Sequence, residues 1–170
     1  MLDLETREKI VEEIESTYQT RHPLPLLTKT YPEISVEDAY AIQASFINRR
    51  LAKGRTVRGY KVGLTSKVMQ ETMGGSEPDF SAMTDELFLP EDTEIEAARF
   101  FHPMIEIEIA FLMKDRLKGP GVLPQDVILA TEYVLPSIEI VDFRVGPAKG
   151  MTIADTVADL AACGATVLGA

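Results

Sequence analysis

Hydrophobic positions in the first third of the chain recur at helical spacing. Ile10, Ile14 and Tyr18, with Val11 beside them, form a stripe among Glu and Lys, which predicts an amphipathic helix. Three prolines in TRHPLPLLTKTYPE break the pattern. Ser35 then opens a second helix as N-cap, with Asp38 in a variant of the capping box and Glu37 adding negative charge to the first turn. Val36, Tyr40, Gln43, Ile47 and Leu51 trace its inner face, helped by Ala39 and Phe46, and Gly54 terminates it. Residues 1–55 are expected to form a helical cap and residues 56–170 a β-rich domain. From Val57 the period changes. VRGYKVGL (57–64) reads as a short strand, 65–73 as a short helix and 74–85 as a loop. Met104 to Met113 alternates: Ile105, Ile107, Ile109 and Phe111 point one way, Glu106, Glu108 and Ala110 the other. KGPGVLPQD is a turn, 125–131 a short helix, and Glu132 to Phe143 a second long strand broken by Pro136. Residues 144–151 read as a loop, 152–162 as a helix and ATVLG as a last strand. The pattern predicts an α+β chain.

Composition narrows the class. The 170 residues suit one domain, or one with an appendage, and 45% apolar with 26% charged residues excludes wholesale disorder. Seventeen Lys and Arg against 27 Asp and Glu leave a net charge of −10. That balance argues against nucleic acid or a membrane surface as partner, because phosphates need surplus cations. A small anionic substrate stays open if a bound cation captures it. The single cysteine, Cys163, excludes an internal disulfide framework and a cysteine zinc site. No apolar run is long enough to cross a bilayer, and the acidic N-terminus is no signal peptide, so a cytoplasmic setting is expected. With two histidines, any metal site here is built mainly from carboxylates.

Glu106 and Glu108 carry the strongest chemical signal. Two carboxylates two residues apart share one strand face, and burying them uncompensated is costly. A hard divalent cation resolves the repulsion, and Glu139, inside the apolar string SIEIV, supplies a third carboxylate. The alternative is that both strands have one wet face and the glutamates are solvated. Lys61, between Gly59 and Gly63, suits carboxylate binding or proton transfer; a snorkelling surface lysine is the plainer reading. Asp79, after Pro78, suits a general base, or ordinary turn chemistry. His102 before Pro103 is a weaker candidate, and Cys163 reads as a small buried hydrophobe. GxGxxG, P-loop, GxSxG and HExxH motifs are absent.

The strings GYKVGLTSKVMQ, SEPDFSAMTDELFLP, HPMIEIEIAFLMK, LKGPGV, ATEYVLPSIEIVDFR and DTVAD together resemble the 2-keto-4-pentenoate hydratase family of the fumarylacetoacetate hydrolase-like group. Relatives in that group include 2-oxohept-4-ene-dioate hydratases and 4-oxalocrotonate decarboxylases. The resemblance implies a helical cap followed by a mixed β-sheet or barrel, incomplete at the C-terminus because the family's chains are longer. It implies Mg²⁺ or Mn²⁺ on Glu106, Glu108 and Glu139, acid/base roles for Lys61 and Asp79, and a pocket-lining role for Leu87. The implied reaction adds water to a 2-hydroxy-2,4-dienoate from the meta-cleavage of aromatic rings, giving a 4-hydroxy-2-oxo acid. Decarboxylation of a 2-oxo-dienedioate is the alternative, and a fragment that needs a partner chain is the third reading. An open sheet ending in ATVLG also predicts a homo-oligomer; the resemblance adds a sister hydratase or decarboxylase chain as a further candidate partner.

Overall fold

In a computed structural model of the chain, which describes residues 1–146 and 149–170, Asp3 caps α1 (Leu4–Thr20) by accepting the Thr6 amide at 2.8 Å. Of the loop expected over 144–151, Pro147 and Ala148 lie outside the described residues. Ile10, Val11, Ile14 and Thr17 form the buried stripe of α1. Tyr18, expected in that stripe, is half exposed; its ring stacks against Phe46 and lies under the Arg50 guanidinium. After a single turn, α2 (Leu27–Thr30), the capping box of Ser35 and Asp38 opens α3 (Val36–Ala52). The Asp38 carboxylate also accepts the Leu2 amide at 3.0 Å, which ties the start of the chain to the start of α3.

The inner face of α3 is Ala39, Ile42, Gln43, Phe46 and Ile47. Ala39, Gln43, Phe46 and Ile47 are on it as expected and Ile42 joins them, while Val36 and Tyr40 are half-buried and Leu51 falls on the exposed rim. A third helix, later in the chain, completes this layer. Val157 and Leu160 join Ile10, Ile14, Ile42 and Phe46 in one apolar core.

The strands form two sheets. In the smaller one, β1 (Val57–Gly63) pairs antiparallel with β2 (Asp79–Thr84). The sequence reading assigned 74–85 to a loop, and the structure corrects it: the inward positions of β2 include Asp79 and Ser81, so hydropathy shows no inward apolar row. The helix expected over 65–73 is α3's successor, α4 (Lys67–Thr72), capped by Ser66. The larger sheet is mixed, in the order β3 (Phe88–Leu89), β6 (Cys163–Leu168), β5 (Thr131–Val141), β4 (Met104–Met113), with β3 and β6 parallel and the rest antiparallel. The short helix before β5 is α5 (Pro124–Ala130). Pro136 does not break β5. Its carbonyl accepts the Gly169 amide at 2.8 Å, so the side lacking an N–H faces the end of β6, where pairing stops.

The helix expected over 152–162 is α6 (Ile153–Ala158), and it stops early. Leu160, Ala161 and Ala162 all adopt left-handed backbone, with φ of 57°, 50° and 57°. Side chains bearing Cβ rarely sit there, so the surroundings must hold the turn. The Asp159 carboxylate accepts the amides of Arg144 and Val145 at 2.7 and 3.2 Å. The Arg144 guanidinium donates to the carbonyls of Asp159 and Cys163, which bracket the turn, at 2.8 and 2.9 Å. Burial works against the charge of Arg144, but Asp159, with Tyr18 and Asp142 adding to it, outweighs burial and holds the guanidinium's pKa above its ordinary value. Among the described residues, no helix is long and apolar enough to cross a membrane.

Candidate functional site

Strand register brings the three glutamates together. Glu106 on β4 is the direct cross-strand partner of Glu139 on β5, and Glu108 lies two residues along on the same face. One carboxylate oxygen from each lies within 4.8 Å of the others. Glu139 is buried, whereas Glu106 and Glu108 are exposed. The isoleucines on the other face of β4 are exposed too; Ile107 is 89% accessible.

Lys61 enters from the other sheet. On β1 it shares a face with Gly63, while Tyr60 and Val62 point outward to solvent. The plain reading of a surface lysine fails: the side chains of Lys61 and Glu139 are only 9% and 8% exposed, and Lys61 Nζ stands 2.8 Å from Glu139 Oε1. That contact is an ion pair outside hydrogen-bond geometry, so Oε1 is buried without a hydrogen-bond donor. Burial pushes the Glu139 pKa up, and the repulsion of Glu106 and Glu108 adds to it, against the pull of Lys61.

Asp79 begins β2 and faces Gly63 across the ladder. Thr156 Oγ1 on α6 donates to its Oδ2 at 3.4 Å, while its buried Oδ1 has no partner. A Cβ on Gly63 would stand 2.3 Å from Oδ1 and 3.3 Å from Lys61 Cε, so this glycine makes room for the Asp79 carboxylate beside Lys61. Burial raises the Asp79 pKa, with Lys61 opposing it. Leu87 is buried against Met83 and Cys163. The Cys163 thiol lies close enough to Glu139 to feel its charge, and burial first, then that charge, pushes its pKa up to about 12, so it is no nucleophile. His102 is exposed and engages Asp142 only through its backbone amide, apart from this cluster. Thr156 and Cys163 are the site neighbours that the sequence did not assign.

Three carboxylates against one ammonium leave two negative charges in a small, partly buried volume. The donor set is all oxygen, which suits a hard divalent cation, and the buried Glu139 Oε1 already has a cation, the Lys61 ammonium, against it. What the arrangement offers is a cation site flanked by a lysine and a shielded carboxylate.

No family model matches the chain. The 2-hydroxypent-2,4-dienoate hydratase of Pseudomonas putida is 42% identical over 159 residues, covering 93% of this chain and 71% of that protein. The chain belongs to the 2-keto-4-pentenoate hydratase family. The 2-oxo-hept-4-ene-1,7-dioate hydratase of Escherichia coli is 37% identical over 174 residues, covering 99% of the chain and 65% of its own length. Among solved structures, 4-oxalocrotonate decarboxylase from Pseudomonas putida G7, complexed with magnesium and adipate, superposes with a TM-score of 0.94 at 31% identity. That match covers 99% of this chain and 64% of the decarboxylase. The chain thus spans between 64% and 71% of the length of these three family relatives. The shared fold is the fumarylacetoacetate hydrolase-like one, as the resemblance implied.

Proposed function

We propose that this chain carries the metal and acid/base residues of a hydratase that adds water to a 2-hydroxy-2,4-dienoate, giving a 4-hydroxy-2-oxo acid. One observation carries the reading: two sheets converge so that Lys61 and Asp79 flank the cluster of Glu106, Glu108 and Glu139. A divalent cation on those glutamates, Mg²⁺ or Mn²⁺, supplies Lewis acidity at the substrate's 2-oxo group when bound. The remaining work falls to the chain. The reaction first moves the C2-hydroxyl proton to carbon, then delivers water to the conjugated alkene. Asp79 is suited to proton transfer because Thr156 holds Oδ2 and leaves Oδ1 free, and because burial raises its proton affinity toward the working pH. Lys61 is placed to orient the anionic substrate and to exchange a proton beside Asp79. Leu87, behind Cys163, contributes apolar bulk to the pocket wall.

The named hydratases share 37% and 42% identity with the chain, against 34% and 36% for two 4-oxalocrotonate decarboxylases compared in the same way, a small margin that favours hydration. The high structural likeness to the decarboxylase keeps decarboxylation as the second reading. We also propose a homo-oligomer, with the exposed isoleucine face of β4 in the contact. The assay is loss of dienol absorbance with Mg²⁺ present, with the product identified by mass. A product one water heavier than the substrate supports hydration, and loss of carbon dioxide supports the second reading. Glu106→Gln should abolish the metal-dependent turnover; unchanged turnover in that variant contradicts the assignment.

A further inference from the structure

We infer that Lys61 is a built-in counter-cation that competes with a divalent metal ion for Glu139. The inference rests on the metal reading above and deepens it. Among the described residues, Lys61 is the only cation paired with any of the three clustered glutamates, and its partner is the buried one. Glu106 and Glu108 open to solvent, where water screens their repulsion; Glu139 has no such relief. Without a divalent cation, the Lys61 ammonium 2.8 Å from Oε1 is what makes the burial of Glu139 tolerable.

The same contact works against a metal ion. The three cluster oxygens all lie within 4.8 Å of one another, close enough for one small hard cation to engage all three. A cation held by these oxygens would share the Glu139 carboxylate with Lys61. A divalent charge and an ammonium would then face each other across one carboxylate. Even at the dielectric of water, charges of +2 and +1 about 6 Å apart repel enough to change an affinity by roughly tenfold. Lys61 thus serves two states. It neutralises Glu139 when the site holds no metal ion, and metal binding frees it for the Asp79 side of the pocket, where its Cε already lies near Gly63. Metal loading and release of the lysine would be one event.

The test is Mn²⁺ binding, read by the electron paramagnetic resonance signal of free Mn²⁺, on the whole chain. Lys61→Met should bind about tenfold more tightly than the wild type, or better, and Lys61→Arg, which keeps the charge, should bind like the wild type. Lys61→Met binding no more tightly than wild type overturns the inference. Lys61→Arg gaining as much as Lys61→Met also overturns it, because the gain would then come from packing. A second measurement needs no variant and covers the case in which Lys61→Met does not fold. Reductive methylation of wild-type Lys61, followed by peptide mass against exposed Lys53, should quicken when Mn²⁺ replaces chelator. A rate unchanged or slowed by Mn²⁺ overturns the inference. A wild type that binds no Mn²⁺ at all refutes the metal reading itself, which separates the two failures.

Discussion

Replacing Gly63 with alanine perturbs the site without altering any of its chemical groups. The backbone at Gly63 is not in the left-handed region, so alanine meets no torsional penalty there. The new methyl would stand 2.3 Å from Asp79 Oδ1 and 3.3 Å from Lys61 Cε. The ordinary carbon–oxygen contact is more than 3 Å, so the carboxylate must retreat by about 1 Å. A misplacement of about 1 Å in a reacting group costs on the order of 100-fold in rate. Both neighbours are ends of flexible side chains, which limits the folding penalty to about 1–3 kcal/mol. Gly63→Ala should therefore lose about 100-fold in kcat for dienol hydration. It should melt cooperatively, about 2–12 °C below the wild type, and still bind Mn²⁺, because the three glutamates lie on the other sheet. Wild-type kcat in Gly63→Ala would refute the claim that Asp79 works from its position beside Lys61. A loss of Mn²⁺ binding equal to the loss of rate would show that the substitution damages more than the Asp79 pocket.

Further outcomes follow from the same geometry. The raised folded pKa of Asp79 means that its contribution to stability is complete below the unfolded value and is lost as pH rises through the folded value, so at neutral pH the charged form is a burden. Asp79→Asn should then gain about 1 kcal/mol or more at pH 7, roughly 2–4 °C in Tm, with the gain shrinking toward pH 4 while turnover falls; a lower Tm at pH 7 contradicts this. Arg144→Met strands the buried Asp159 carboxylate and should cost about 3–5 kcal/mol in denaturant unfolding, much of it recovered by adding Asp159→Leu. No recovery in the double variant would show that the pair's worth lies in holding the left-handed turn rather than in charge balance. Light scattering at micromolar concentration should give a mass above the monomer, and Ile107→Lys should lower it; a wild-type monomer refutes the homo-oligomer.

What the sequence showed and what it hid divide along local and distant causes. The helical stripes, the Ser35–Asp38 cap and the alternation of β4 are set by neighbours within a few residues, and all are legible in the pattern. The glutamate cluster is legible for the same reason, since Glu106 and Glu108 share a face by strand geometry and Glu139 is conspicuous among isoleucines. The strand character of DFSAMT was hidden because its inward residues include a buried aspartate and a buried serine, Asp79 and Ser81. The early end of α6 was hidden because three left-handed residues without glycine depend on Arg144 and Asp159, which lie outside the turn. The burial of Lys61 was equally hidden: only its partner on a different sheet turns a plausible surface lysine into half of a buried ion pair.

Anomalous scattering from crystals of the chain grown with Mn²⁺ tests the central claim most directly. The account predicts one strong peak within about 2 Å of a carboxylate oxygen from each of Glu106, Glu108 and Glu139, with Lys61 and Asp79 on the same side of the pocket. A peak elsewhere, or no peak with any two of these carboxylates turned away from a common centre, would contradict it.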